Sequence, residues 1–314
     1  MNTTRNKSVF PLFEEGVRGS LRRGSLLLLL ALFATLCLNA QVVEVYKAGN
    51  IVYSCGDADS IVFRALPKDA FSVSATKQVR FSKGNLQYTQ STQTWSFAEH
   101  QYDMIGEANI SNGVLADKID LFGWSGSTAT AQWGISTSTN SSDYSGDFAD
   151  WGANTIGTDA PDTWRTLTND EWSYLLSERT NANNLVGGAR INLNADGSKY
   201  ANGLVFLPDY WICPAGITFK SGFATNYAGY QYQTFTLSDW QKLEAAGAVF
   251  LPASGYRSGA DVNHVQDCAV YWSATTNYFS DQAGYLYFDL LGSSAYPYYN
   301  SRDWGKPVRL VRDL

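Results

Sequence analysis

Tyr271-Trp272-Ser273-Ala274-Thr275 and Val308-Arg309-Leu310-Val311-Arg312 enclose the stretch that decides the fold, a tyrosine-rich segment between two strand-like anchors. From Tyr271 to Trp304 the sequence has seven Tyr, two Trp and two Phe, and it has no Lys or Glu. Rigid aromatic rings mixed with short polar side chains are typical of a recognition surface. Strand core is the alternative interpretation for 285–288. It is weaker for 296–301, because consecutive tyrosines cannot all point inward.

We therefore predict a ligand-binding surface over 277–304. Its candidate residues combine aromatic rings with hydrogen-bonding groups: Asn277, Tyr278, Ser280, Asp281, Tyr285, Tyr287, Asp289, Tyr296, Tyr298, Tyr299, Asn300, Asp303 and Trp304. The tyrosines at 278, 296, 298 and 299 are expected to be partly exposed on one contiguous face. A glycan, a peptide, or a host or microbial protein all suit this chemistry as the extracellular ligand. We assign no catalytic residue, metal ligand or cofactor.

The first forty residues have the pattern of a secretory signal. Basic residues including Arg18, Arg22 and Arg23 precede an apolar run at 26–38. The small residue Ala40 follows this run, which predicts cleavage before Gln41. The run is too short to span a bilayer, which takes roughly 20 residues. Cys37 leaves lipid anchoring open, although Leu36 stands where a small residue should precede a lipid-bearing cysteine. Export places the chain at the outer surface or outside the cell, with the periplasm as the alternative.

The charge of the mature chain excludes some partners. Without the five basic and two acidic residues of 1–40, it keeps 18 of the 23 Lys and Arg and 27 of the 29 Asp and Glu, a net charge of about −9. An acidic chain without a basic run is poorly suited to nucleic acids or anionic membranes. We expect neither a nucleic-acid partner nor an integral membrane span.

Three cysteines remain after the predicted cleavage, and export permits a disulfide. Cys213 and Cys268 lie in the same predicted domain, so we predict a bond between them and leave Cys55 unpaired.

The patterning predicts an α+β fold. Residues 41–66 form a small N-terminal β-hairpin and linker, and 67–314 form the main domain. Strands are expected around 71–74, 77–81, 85–88, 94–97, 189–193, 204–208, 248–252, 255–257, 270–273, 284–288 and 307–311, with a further short one at 60–63. Because no strand–helix–strand alternation recurs, the sheet is predicted to be antiparallel. Residues 106–163 have the composition of a long loop, which we expect to be functional or packed on its own aromatic residues.

Two helices are predicted, and both begin with a threonine cap. Thr168 with Glu171 three residues later forms a capping box, and Trp172 opens an apolar stripe. Thr236 opens the second helix, with Trp240 on its apolar face and Gly247 as its stop. Both tryptophans are expected to pack against the sheet.

Several motifs together resemble a known family. Phe250-Leu251-Pro252-Ala253-Ser254-Gly255-Tyr256-Arg257, the two anchors quoted above, 79–88 and 101–106 are similar to the major paralogous domain proteins first noted in Fibrobacter and abundant in gut Bacteroidetes. The resemblance covers 70–314. It implies a C-type lectin-like fold related to formylglycine-generating enzymes, with two helices flanking a twisted antiparallel sheet.

One subset of that fold contains the variable proteins of diversity-generating retroelements, in which adenines of a C-terminal repeat are randomised. Asn-type codons then yield Asn, Tyr, Ser, Asp, Phe, Leu or Gly, and 277–303 is rich in that set. Trp304 cannot arise in this way. Ordinary drift within a paralogous family explains the composition as well, so flanking DNA is needed to decide.

The chemistry of other functions has little support in the sequence. Formylglycine-generating enzymes need a reactive cysteine pair near the C-terminal end of the domain, and no cysteine follows Cys268. The Ca²⁺ triplets of sugar-binding lectins do not occur, and the loop beginning at Asn192 has Gly203 where an EF-hand needs a bidentate Glu. His100 and His264 are the only histidines. A structural or pilus-tip component and a divergent formylglycine-type enzyme are the alternative functions.

Overall fold

The structure is a computed structural model that describes residues 42–47, 50–56, 67–222, 229–289 and 296–314. The predicted signal peptide (1–40), most of the linker with the strand expected at 60–63, the side chain of Cys55, and residues 290–295 of the predicted surface lie outside the described part. The chain divides into two units, with the boundary between Ala65 and Leu66. In the described part, no helix has the length and apolar character needed to cross a membrane.

The first unit contains the predicted hairpin. Strand β1 (Val42–Lys47) pairs antiparallel with β2 (Asn50–Gly56). The register shifts between Val45 and Tyr46, which is the irregularity of a β-bulge.

The second unit is α+β, with many short strands and two helices. Its helices are α1 (Asn169–Ser173), continued by one π-helical turn (Tyr174–Glu178), and α2 (Leu237–Ala245). Its strands are β3 (Phe71–Ser72), β4 (Gln78–Phe81), β5 (Leu86–Thr89), β6 (Thr94–Phe97), β7 (Ile110–Ser111), β8 (Val114–Leu115), β9 (Lys118–Ile119), β10 (Val186–Asn192), β11 (Tyr200–Phe206), β12 (Thr234–Thr236), β13 (Val249–Pro252), β14 (Tyr256–Ser258), β15 (Asp261–Asn263), β16 (Cys268–Thr276), β17 (Gln282–Asp289), β18 (Tyr296–Ser301) and β19 (Val311–Asp313).

These strands form several small sheets rather than one continuous sheet. The largest described sheet has the order β12-β10-β11-β13, and β16-β17-β18 form a second one. Strand β10 pairs parallel with β12, so the expectation of a purely antiparallel sheet is wrong at this edge. The parallel pair arises because the chain leaves β11 and returns to the far side of β10.

The two predicted helix starts are confirmed. Thr168 Oγ1 accepts from the Glu171 amide at 3.1 Å, and Glu171 Oε2 accepts from the Thr168 amide at 3.0 Å, which is the reciprocal capping box. Thr236 caps α2 through one half of this arrangement: its Oγ1 accepts from the Asp239 amide at 3.1 Å. Gly247, with φ of +103°, ends that helix, because the left-handed region is accessible to glycine at little cost.

Three clusters of buried side chains form the core. Two of them contain a tryptophan from one of the predicted helices. Trp172 lies in the first with Phe81 and Phe206, at ring centroid distances of 6.0 and 6.1 Å. Trp240 lies in the third and packs edge-on against Phe250. Both indoles are fully buried, as expected.

The long segment 106–163 packs on its own tryptophans, as predicted. Trp124 and Trp151 are fully buried in the second cluster with Trp272, and Trp133 packs against it. The backbone between them consists of short strands and 3-10 turns (Gly106–Asn109, Gln132–Gly134, Ser141–Tyr144 and Trp151–Ala153). This segment therefore packs along one side of the second cluster and contributes to the core.

The predicted disulfide is not formed. Cys213 is exposed in the loop after β11, where its thiol donates to the Ile217 carbonyl at 3.2 Å. Cys268 is buried at the start of β16. The prediction is wrong because two cysteines in one domain need not approach each other, and a disulfide needs Cα atoms within about 7 Å.

Candidate functional site

The sheet β16-β17-β18 contains most of the predicted binding residues. Alternate side chains of a strand point to opposite faces of its sheet. The antiparallel register pairs Tyr285 with Tyr298 and Tyr287 with Tyr296, so these four tyrosines share one face. The other face contains Tyr271, Leu286 and Phe288, which lie in the first core cluster. We call this second face the core face and the first the tyrosine face, although Trp272 and Tyr285 of the tyrosine face are themselves buried in the second core cluster.

The tyrosine face changes from buried to exposed across the sheet. Tyr285 is 4% exposed, whereas Tyr296 and Tyr298 on the outer strand are 43% and 56% exposed. Neighbouring rings contact one another at centroid distances of 5.4 Å (Tyr287–Tyr296) and 6.0 Å (Tyr285–Tyr298 and Tyr296–Tyr298). We call Tyr287, Tyr296 and Tyr298 the tyrosine surface, and Tyr285 lies beneath it.

Tyr299 is 37% exposed, but alternation along β18 places it on the core face. It lies opposite Gly284, where a Cβ atom would come within 2.5 Å of Asn169 Oδ1. The Asn169 amide also donates to the Tyr298 carbonyl at 3.3 Å. Glycine at 284 thus lets the start of α1 support the outer strand, and the prediction that all four exposed tyrosines share one face is wrong for Tyr299.

The turn between β16 and β17 contains another predicted group: Asn277, Tyr278, Ser280 and Asp281. Tyr278 is 95% exposed and Phe279 is 58% exposed, and their rings pack edge-on at 5.7 Å. The side-chain amide of Asn277 donates to Gln282 Oε1 at 2.7 Å, which ties the turn to its own strand. This turn forms a separate aromatic tip beyond the end of the tyrosine face.

Polar residues lie at both ends of the tyrosine surface. The Tyr287 hydroxyl donates to Asp289 Oδ2 at 2.6 Å. Burial and the Asp289 carboxylate raise the pKa of Tyr287, so this hydroxyl stays protonated and remains a donor. At the other end Asn300 lies beside Tyr285, whose pKa burial raises to about 12. Tyr285 and Tyr287 are therefore neutral phenols at physiological pH.

The segment after β18 is a support rather than a contact surface. Asp303 is 6% exposed and accepts from Ser141 Oγ at 2.9 Å and from Ser301 Oγ. Arg302 is also buried; it donates to the Gln282 carbonyl at 3.1 Å and lies over the Trp124 ring at 4.1 Å. The expectation that Asp303 and Tyr285 contact ligand is not met, because both side chains are buried and in contact with other groups of the protein.

The sequence analysis missed an aromatic stack that continues this face. Tyr256 stacks on Trp304 at 4.5 Å with an interplanar angle of 11°, and His264 stacks on the other side of Tyr256 at 5.5 Å. Tyr256 and Trp304 are half-buried, and His264 is exposed. Trp304 was predicted to bind ligand and its two partners were not. Sequence distance concealed them, because the β14-β15 hairpin brings them back from some forty residues upstream.

Lys306 is a fully buried cation under this face. Its Nζ lies 3.8 Å from the Trp272 ring centroid, 5.0 Å from that of Tyr285 and 5.2 Å from that of Trp304. Among the described residues, the Nζ atom forms one hydrogen bond, which it donates to the Ser301 carbonyl at 3.5 Å. Burial lowers the pKa of Lys306 well below its usual value, and the nearby Asp303 opposes that shift. Lys306 links the aromatic stack to the tyrosine face.

Reactive and metal-binding chemistry has little to build on in the described residues. Burial raises the pKa of the Cys268 thiol to about 12, which keeps it protonated and a weak nucleophile. No group of three or more His, Cys, Asp or Glu side chains could hold a metal ion within the ranges that the structure covers. What the face offers is aromatic area, phenol hydroxyls and short polar side chains.

Comparison with protein families, with curated protein sequences and with solved structures found no match to this chain.

Proposed function

We propose that the chain is an exported ligand-binding or adhesion protein that uses the tyrosine surface and its neighbours to bind a glycan, peptide or protein. The observation that carries the proposal is the exposure of Tyr296 and Tyr298, at 43% and 56%, on an outer strand. Of their partners on β17, Tyr285 is buried and Tyr287 is half-buried. Tyr and Trp provide large contact area at low entropic cost, and each has a hydrogen-bonding group. A face anchored at its base and exposed at its rim is a pre-organised binding surface.

The proposal is for binding without catalysis. It is supported by the protonated Cys268 thiol and by the exposed position of Cys213 in a different element, which leaves the two cysteines unsuited to act as a reactive pair. It also includes a C-type lectin-like architecture. Two threonine-capped helices and a mostly antiparallel arrangement of short strands support that assignment at the level of fold class.

Arrays of immobilised glycans and of peptides test the binding proposal. We expect the full secreted chain to bind a defined subset of spots, and Tyr298→Ala to weaken that binding by ~2 kcal/mol, about 30-fold, if Tyr298 is a central contact. Tyr210→Ala is the matched control, because Tyr210 is 44% exposed in the loop after β11.

Thermal unfolding of the same variants separates a binding surface from a core. Tyr298→Ala should leave the midpoint almost unchanged, since exposed substitutions usually alter stability by less than about 0.5 kcal/mol. Equal loss of array binding in Tyr210→Ala and Tyr298→Ala would contradict the proposal. Concentration-dependent self-association that Tyr298→Ala abolishes would favour the structural alternative.

Export is part of the proposal and has its own test. The basic residues before the apolar run at 26–38 support a secretory signal cleaved before Gln41. N-terminal sequencing of the chain recovered from the producing cell should begin at Gln41. Recovery of an uncleaved chain from the cytoplasmic fraction alone would contradict export.

A further inference from the structure

A cleft of about 490 Å³ opens at a different part of the second unit, between β4, the end of β6 and the C-terminal turn of α2. Ligand sites in proteins usually enclose roughly 300 to 1,000 Å³. One wall is formed by Phe97 and Trp164, whose rings pack edge-on at 5.1 Å and are both half-buried. The cleft therefore presents apolar area that solvent reaches.

Some of the polar groups that line the cleft already have partners. Arg80 Nη2 donates to Asp69 Oδ1 at 2.8 Å. The Trp164 indole donates to Asp159 Oδ2 at 2.9 Å. These contacts shape the wall. Arg80 is neutralised by Asp69, whereas Asp159 keeps its negative charge and a second carboxylate oxygen.

Two charged side chains in the cleft lack such partners. Lys83, in the turn before β5, and Glu244, in the last turn of α2, form no ion pair or side-chain hydrogen bond within the described residues. The nearby Arg309 does not pair with Glu244; its guanidinium donates to the carbonyls of Phe250, Gln101 and Ser82. Lys83 is thus an available cation, and Glu244 is an available anion on the α2 side of the cleft, with the Asp159 carboxylate near Trp164 as a second one.

We propose that this cleft binds a short peptide with both termini free. Its amino group would pair with Glu244, its carboxylate with Lys83, and an apolar side chain would contact Phe97 and Trp164. A single free amino acid has the same charges but would leave much of the volume to water. This inference is independent of the tyrosine surface, because none of the residues that line the cleft belongs to that surface.

Calorimetric titration of the full chain with the dipeptide Leu-Phe tests the proposal. We expect saturable binding in the millimolar range or tighter. Acetylating the amino group should weaken binding by removing the contact with Glu244, and amidating the carboxylate should weaken it by removing the contact with Lys83. Each charge-assisted contact corresponds to about a fivefold to tenfold change in Kd.

Variants assign each terminus to its partner. Lys83→Gln should weaken binding of the free dipeptide about fivefold and leave binding of the amidated form unchanged, since the partner carboxylate is already gone. Glu244→Gln should likewise weaken binding of the free dipeptide about fivefold and leave binding of the acetylated form unchanged. Lys199→Gln and Glu178→Gln are the matched controls, because both remove an exposed charge far from the cleft lining.

Three results would overturn the proposal. The first is the absence of saturable binding of Leu-Phe in the millimolar range. The second is additivity: the loss of affinity caused by a variant and the loss caused by blocking the corresponding terminus would sum when both are combined. That result would show that the side chain and the terminus do not contact each other. The third is an equal loss in the control variants, which would indicate attraction by overall charge alone.

Discussion

At the scale of single residues, buried charges are the most unusual feature of this protein. Lys306 is held under the aromatic face by three rings, although a buried ammonium group normally needs strong hydrogen bonds. The cation–π contacts offset only part of the cost of burial, and the lowered pKa of Lys306 reflects the remainder. Lys306 is therefore a site where stability depends on pH.

We predict that Lys306→Met changes the pH dependence of stability. In the folded chain the pKa of Lys306 lies below its unfolded value of about 10.4, so between these two values the unfolded state binds more protons. Wild-type stability should then gain, relative to Lys306→Met, as pH rises from 7 toward 10. Urea unfolding of both proteins at several pH values measures this, with Lys199→Met as an exposed control. A difference that stays constant with pH would contradict it.

For Asp120 the expected change of stability with pH has the opposite sign. It is fully buried, and burial raises its pKa to about 6 despite donors from Asn109 at 2.8 Å and the Ile105 amide at 2.9 Å. Between about pH 4 and 6 the folded state binds more protons than the unfolded state. The stability that Asp120 contributes is thus fully present below about pH 4 and lost as pH rises through 6.

We predict that Asp120→Asn flattens this part of the stability profile. Two pKa units correspond to roughly 3 kcal/mol, so the wild type should lose about that much more than the variant between pH 4 and 7. Chemical denaturation across the range tests this. Asp261→Asn, at an exposed position, should keep the wild-type slope. A variant whose slope matches the wild type would show that Asp120 keeps an ordinary pKa.

At the scale of elements, the sequence predicted a helix or strand correctly where a single short segment contains the complete pattern. The capping box at Thr168 and the threonine cap at Thr236 are each complete in four residues, and both helices begin there. The β18 strand was not predicted, because consecutive tyrosines and Pro297 obscure the alternation of a strand. The parallel edge β12 and the aromatic stack depend on how distant segments meet, which one sequence does not encode locally.

The same distinction applies to the site. Composition identified the tyrosines of 277–304, but it could not separate exposed Tyr298 from buried Tyr285, since both are tyrosines in alternating strands. Nor could it reveal Lys306, whose role comes from three rings that lie far apart in sequence. Pairing across the sheet, rather than residue type, determines which of these side chains are exposed.

A mutation in α1 tests how strongly that helix anchors the core. Trp172 is fully buried against Phe81 and Phe206, so Trp172→Ala should destabilise the protein by ~3–5 kcal/mol through lost burial and the cavity left behind. Equilibrium denaturation measures the change, with Tyr210→Ala as an exposed aromatic control. A loss below about 1 kcal/mol would mean that α1 is not coupled to the core.

At the scale of the whole molecule, the second unit combines a buried frame with an exposed tyrosine surface. The core face of β17 packs Leu286 and Phe288 into the first cluster, while Tyr296 and Tyr298 project from the edge strand. Replacing a buried ring usually costs several kcal/mol, whereas exposed positions accept most residues. Diversification of 277–304 is therefore physically possible at some positions and excluded at others.

This partition yields a prediction about the gene. If a retroelement diversifies the segment, its adenine-dependent changes should fall on the codons of Tyr278, Tyr296 and Tyr298. They should spare those of Tyr285 and Phe288, which belong to the same residue set but are buried. Composition alone predicts that all five codons vary, so these two positions distinguish the structural argument from the compositional one.

Sequencing the flanking DNA provides the measurement. We expect a near-copy of codons 271–312 beside a reverse transcriptase, with adenines opposite the exposed positions and fixed codons opposite the buried ones. Mismatches spread evenly over Tyr285, Phe288 and the exposed tyrosines would contradict the partition. Without any such copy, ordinary sequence drift accounts for the composition. The exposed tyrosines would then be a fixed binding surface with a single preferred ligand.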